Sequence, residues 1–154
     1  MYFAAHYGQM PRMARIAIVD ASRDCADMLQ FLLFNARHKA QTFESGIQFL
    51  ESFQSGTFDL IALELALPGL DGFDTFTRIR EVDSRVPIIT ITARAFPADR
   101  EKALEHGFRL HVTKPIVDFD VFLGEMSQLL VARKPIREIT RHFRAYTART
   151  RAAK

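Results

Sequence analysis

Five times between residues 15 and 132 a short apolar run gives way to a stretch whose apolar residues recur at helical spacing. That rhythm implies strands alternating with helices, and hence a doubly wound α/β fold built on a parallel sheet. Runs 16–19, 58–63 and 88–92 are nearly continuous in apolar or β-branched residues, as strands covered on both faces require. Runs 39–43 and 110–113 are more mixed, and the first reads as an edge strand. Between the runs, Leu29, Leu32, Leu33 and Ala36 fall at i, i+3, i+4 and i+7, as an apolar helical stripe does. Phe122, Met126, Leu129 and Leu130 form a similar stripe later in the chain. Shorter helices are predicted around Ile47 and Leu50, around Phe73, Phe76 and Ile79, and around Ala103 and Leu104, with Gly107 closing the last. Gly56, Gly69 and Gly72 fall where turns are needed, and Asp71 is placed to hydrogen-bond locally.

A chain of 154 residues that is 48% apolar can bury one good core, so the expected organisation is an extension over 1–13, one domain over 14–132 and a tail over 133–154. Met13, just before the first strand, is an alternative start. The one cysteine, Cys25, has no partner for an internal disulfide, which fits a reducing cytoplasm. No run approaches the ~18 uncharged apolar residues of a membrane span, and the first dozen residues lack a signal-peptide pattern.

The net charge of +3 hides an asymmetry. Residues 133–154 carry eight Lys or Arg against the single acid Glu138, a local charge of +7, which leaves −4 for everything before them. After Pro135, Ile136, Ile139, Phe143 and Tyr146 recur at spacings of three, four and three, predicting a short basic amphipathic helix that frays after Ala148. Arg137, Arg141 and Arg144 are its candidate contacts to nucleic acid or an acidic surface. The alternative is that its apolar residues pack on the domain or on a second subunit while the arginines stay solvated.

In an open α/β sheet, reacting groups gather at the carboxyl ends of the strands, near the point where strand order reverses. Asp20, Glu64, Thr92 and Lys114 end the first, third, fourth and fifth strands, so two carboxylates, a hydroxyl and an ammonium are brought toward one place. Pro115 restrains the chain after the lysine. The bland alternative is that strand ends are polar because loops are exposed. His6, His38, His106 and His142 are scattered and read as surface residues. There is no Gly-rich phosphate loop, no His or Cys cluster and no nucleophile beside a base, so the chain does not read as an enzyme.

The segments Arg-Ile-Ala-Ile-Val-Asp at 15–20, Phe-Asp-Leu-Ile-Ala-Leu-Glu-Leu-Ala-Leu-Pro-Gly-Leu-Asp-Gly at 58–72, Pro-Ile-Ile-Thr-Ile-Thr-Ala at 87–93 and Thr-Lys-Pro at 113–115 resemble the receiver domain of bacterial response regulators, in order and in spacing. The resemblance covers about residues 14–132. It implies a flavodoxin-like five-stranded sheet of order 2-1-3-4-5 with five helices, and a role in two-component signalling. It further implies phosphoryl transfer to an aspartate at the end of the third strand, Mg²⁺ held by acids after the first, and phosphoryl oxygens bound by Thr92 and Lys114. Physically, a carboxylate attacking a phosphoryl group needs cations to offset the gathering negative charge.

Three departures bear on that activity. Glu64 stands at the acceptor position, and its extra methylene carries the carboxylate roughly 1.5 Å further, into space that phosphoryl oxygens would fill. In-line attack loses about 10²-fold for ~1 Å of misplacement. Asp20 is followed by Ala21 where the family carries a second acid, so Mg²⁺ would rest on Asp20 and Glu64 alone and be weak or absent. Asp20, Glu64 and Lys114 sum to −1 rather than the family's −2, which lessens the need for a metal. His111 occupies the family's switch-aromatic position; it reads either as an exposed strand-end residue or as an altered, titratable switch.

The expectation is therefore a phosphorylation-independent receiver, with no obligatory cofactor, that acts through protein partners such as a histidine kinase or a downstream regulator. It would pair with a second copy through its fourth and fifth helices, Glu64 mimicking part of the phosphorylated state. The alternatives are nucleic-acid binding through the tail and a weakly phosphorylatable receiver.

Overall fold

The computed structural model describes residues 13–132. The predicted tail helix, with Arg137, Arg141 and Arg144, and the extension over 1–12 lie outside the described residues.

The chain alternates strictly. It runs β1 (Arg15–Val19), α1 (Arg23–Asn35), β2 (Lys39–Phe43), α2 (Gly46–Ser52), β3 (Leu60–Leu63), α3 (Gly72–Val82), β4 (Ile88–Thr92), α4 (Pro97–His106), β5 (His111–Thr113) and α5 (Phe119–Ala132). The strands pair in parallel in the order β2-β1-β3-β4-β5, the flavodoxin-like arrangement. The central strands β1, β3 and β4 are buried at nearly every position, which explains their unbroken apolar sequence. β2, at the edge, alternates between exposed and half-buried residues up to the buried Phe43 that ends it. Two strands are shorter than their apolar runs: Phe58 and Asp59 precede β3, and Leu110 precedes β5.

Side chains alternate across the sheet and so build two cores. Ala17, Val19, Ile61, Leu63 and Ile88 meet Phe49, Phe76, Ile79 and Ala103 on the side of α2, α3 and α4. Ile16, Ile18, Leu60, Ile89 and Ile91 meet Leu29, Leu33, Phe122 and Met126 on the side of α1 and α5. The α2 reading needs correction: Ile47 is half exposed, and Phe49 is the residue that is fully buried. An aromatic explanation accounts for this, since Phe49 stacks on Phe53 at 4.9 Å and meets Phe43 edge-on at 5.0 Å. On α4, Ala103 is buried and Leu104 is exposed. Gly107 caps α4 at φ 117°, in the left-handed region that glycine tolerates best. His38 is buried rather than on the surface, with its Nδ1 accepting from the Ala14 N–H at 3.2 Å, while His106 is exposed. Among the described residues, no helix is long and apolar enough to cross a membrane.

Candidate functional site

Strand order reverses between β1 and β3, so Asp20 and Glu64 stand side by side just beyond the carboxyl ends of these two adjacent inner strands. The ladder extends to both: the Asp20 N–H donates to the Phe43 carbonyl at 2.9 Å, and the Glu64 N–H to the Val19 carbonyl at 3.0 Å. Across β4, the Lys114 N–H donates to the Thr92 carbonyl at 2.8 Å, which aims the lysine back over the sheet. The Lys114–Pro115 peptide bond is cis.

The four predicted strand-end residues converge. Lys114 Nζ lies 2.6 Å from Asp20 Oδ2 and 2.9 Å from Glu64 Oε2. Both acids and Thr92 are buried, with Glu64 only 6% exposed. Glu64 Oε1 accepts from the Ala66 N–H at 2.9 Å, and Asp20 Oδ1 accepts from the Ser22 N–H at 2.9 Å. Burial pushes the Glu64 carboxyl up, but hydrogen bonds from Thr92, Ala66 and Lys114, with the lysine charge, outweigh it and hold the group below the usual carboxylate range. Burial likewise pushes Lys114 down, and the hydrogen bonds and charges of Asp20 and Glu64 more than restore it, so it stays charged well above neutrality.

Two backbone donors at this site, Ser22 and Ala66, carried no side-chain signal. Each lies two residues after the acid it serves, a local pattern that a short acid leaving a strand can adopt. Gly72 is a second such case. A Cβ there would fall against the Glu64 carbonyl oxygen and 2.6 Å from the Leu65 Cα, so only glycine lets α3 begin this close to the site. Asp71 caps that helix through the Asp74 N–H at 2.9 Å, and Gly69 turns the loop at φ 74°.

His111 is buried, at 7% exposure, which corrects the reading of it as an exposed strand-end residue. Its register partner on β4 is Thr90, and side chains at paired positions of a parallel sheet share a face. His111 Nε2 lies 3.0 Å from the Arg94 carbonyl oxygen, tying β5 to the loop after β4. Its Nδ1 and the Thr90 hydroxyl, both buried, have no hydrogen-bond partner among the described residues. Beside the acids, a cavity of about 330 Å³ opens between α1 and the loop after β5, lined by Asp24, Cys25, Met28, Leu29, Ile91 and Ile116 together with Asp20, Lys114 and Pro115.

The donor set offers Mg²⁺ two carboxylates, both already engaged, and so makes a weakened site. Each of the four carboxylate oxygens of Asp20 and Glu64 already accepts a hydrogen bond, two of them from an ammonium, and Ala21 supplies no ligand. Among the described residues, no three His, Cys, Asp or Glu side chains group as a metal site.

A 2-1-3-4-5 parallel sheet with acids at its switch point and a lysine closing over them defines a receiver. The response regulator receiver domain model matches residues 16–123, and the chain belongs to that family, the receiver module of two-component signalling. Among curated proteins it is similar to the sensory transduction protein RegX3 of Mycolicibacterium smegmatis, 36% identical over 67% of this chain and 45% of RegX3. It is also similar to the transcriptional regulatory protein PcoR of Escherichia coli, 32% identical over 77% of this chain and 52% of PcoR. The chain thus spans about half the length of the curated relatives it matches. Among solved structures, the non-phosphorylated HemR receiver domain of Leptospira biflexa shares the fold, with a TM-score of 0.71 at 23% identity over 79% of this chain and 97% of that one. The receiver domain of sensor histidine kinase PA1611 from Pseudomonas aeruginosa, solved with a magnesium ion in its active site cleft, aligns with a TM-score of 0.69 at 26% identity, covering 77% of this chain and 98% of that one.

Proposed function

We propose that this receiver is a phosphorylation-independent binding module, not an enzyme, whose conformation is set by the pairing of Glu64 with Lys114. The observation that carries this reading is the Glu64 carboxylate itself. It engages Lys114 and Thr92, the two groups that the family resemblance gives to the phosphoryl oxygens, and is hydrogen-bonded to the Ala66 N–H as well. The mimicry is partial, because a carboxylate supplies one negative charge where a phosphoryl group supplies about 1.5 to 2. Protein partners, a histidine kinase or a downstream regulator in the cytoplasm, would then read a face fixed by Glu64 rather than one switched by phosphorylation.

Pairing of two copies through α4 and α5 is supported by Phe96, 76% exposed at the start of α4, and by the exposed Leu104. Nucleic-acid binding by the tail rests on its charge of +7.

The test is to expose the full chain to acetyl phosphate, and separately to beryllofluoride, with Mg²⁺, and to read intact mass and the amide spectrum. The wild type is expected to stay unmodified, while the double variant Ala21→Asp/Glu64→Asp takes up phosphoryl groups. A stoichiometric adduct on wild-type Glu64 would instead establish a weakly phosphorylatable receiver.

A further inference from the structure

Helix α1 carries an apolar ridge that nothing in the described domain covers. Met28, Phe31 and Phe34 follow one another at spacings of three, and the two phenylalanines are 68% and 74% exposed. Large aromatics are seldom left so open on a helix whose opposite face, Ala26, Leu29 and Leu33, already fills the core. At 100° per residue, the exposed Asp24 and Asp27 share the ridge's side of the helix. The surroundings are acidic too. Asp118, Asp120 and Glu125 are exposed on and before α5, α5 has no Lys or Arg, and the single base of α1, Arg23, is engaged with Glu44 at 3.3 Å.

We propose that the basic segment 133–154 of this same chain docks along the outer face of α1, its Ile136, Ile139, Phe143 and Tyr146 covering Phe34, Phe31 and Met28. Three observations converge on that occupant. The first is position. α1 and α5 both start at the carboxyl end of the sheet, after Asp20 and after Lys114, so both finish at the opposite end. Ala132 therefore stands at the end of the molecule where Phe34 sits, and the three residues of sequence between it and Ile136 match in number the loops that join antiparallel helices.

The second is length. Ten residue steps take Ile136 to Tyr146, about 15 Å if helical, which is enough to span the six steps and about 9 Å from Phe34 back to Met28. The third is chemistry. Four apolar side chains at helical spacing match an uncovered apolar ridge, and a segment of charge +7 meets a helix that carries the exposed acids Asp24 and Asp27 and one engaged arginine. The inference is independent of the role given to Glu64.

The experiment is amide hydrogen exchange by mass spectrometry on the full chain at low and high micromolar protein. It compares the wild type with Phe31→Ser/Phe34→Ser and with Phe143→Ser, which lies outside the receiver and cannot unfold it. In the wild type, amides of 136–146 are expected to exchange at least about tenfold more slowly than unstructured chain. That slowing should be equal at both concentrations and lost in both variants, while far-UV circular dichroism shows the receiver intact. Exchange at unstructured rates in the wild type overturns the proposal, as does slowing that survives Phe31→Ser/Phe34→Ser. Slowing that grows with protein concentration makes a second copy the occupant, and slowing seen only with added duplex DNA makes the tail a nucleic-acid element. Either result also overturns it.

Discussion

Replacing Lys114 by methionine tests the central feature of the site, because it removes the one cation while keeping most of the side chain's volume. The ammonium contacts carboxylates at 2.6 and 2.9 Å, and the three side chains are only 16%, 9% and 7% exposed, so water does little of the work of neutralising them. Deleting one partner of a buried ion pair typically costs about 3–5 kcal/mol, since the remaining charge stays buried. Ser22, Ala66 and Thr92 still donate to the two acids, which places this case in the lower half of that range, about 3–4 kcal/mol. With a urea m-value of about 1.5 kcal/mol/M, the unfolding midpoint at pH 7.5 drops by roughly 2 M.

The pH dependence has a definite sign. In the wild type, the lowered Glu64 carboxyl contributes stability that is present above the ordinary Glu value of about 4.3 and is lost as pH falls through its lower folded value. The raised Lys114 contributes stability that is complete below about 10.4 and is lost as pH rises through its higher folded value. The pair is therefore fully effective between about pH 5 and 10. In Lys114→Met two buried acids face each other without a counter-charge, and a proton can take the ammonium's place, so the deficit shrinks on going from pH 7.5 to about 5. Adding Glu64→Gln to Lys114→Met removes the repulsion and should recover about 2 kcal/mol at pH 7.5. A Lys114→Met midpoint within ~0.5 M of wild type, or a double variant no more stable than the single, would refute the reasoning.

Asp83 receives the Arg85, Val86 and Gly56 N–H groups and the Ser55 hydroxyl, and these more than offset the burial that pushes its carboxyl up. Asp83→Ala should cost about 2–3 kcal/mol in urea unfolding, and a loss below ~1 kcal/mol would contradict that accounting. Gly72→Ala drives a Cβ into the backbone of Glu64 and Leu65; a loss of about 2–3 kcal/mol, with amide shifts spreading from Glu64 to Ala66, is expected by unfolding and NMR. Thr90→Val replaces a buried hydroxyl that has no partner among the described residues with an isosteric apolar group, and should raise stability by about 1 kcal/mol; any clear destabilisation would show that the hydroxyl is satisfied.

Much of this was legible in the chain itself. The unbroken apolar character of β1, β3 and β4 follows directly from burial on both faces, so both their place in the sheet and the convergence of Asp20, Glu64 and Lys114 at its switch point could be read from strand ends. What escaped was decided by tertiary packing. Ile47 and Phe49 are equally apolar, and only the neighbouring rings of Phe43 and Phe53 determine which one turns inward. His111 and His38 look like surface residues because imidazole is polar, yet each finds a backbone partner that permits burial. The donors Ser22 and Ala66 act through their main chain, which any residue except proline provides, so side-chain identity could not reveal them.

β5 is only three residues long and joins the sheet through β4 alone, at three paired positions. The lysine just beyond it reaches past β4 to the acids that follow β3 and β1, so it works as a clasp between the sheet's weakest margin and its interior. A protein whose clasp has been cut should begin to open at that margin, shedding β5 and α5 while the pairings of β1, β2 and β3 still hold.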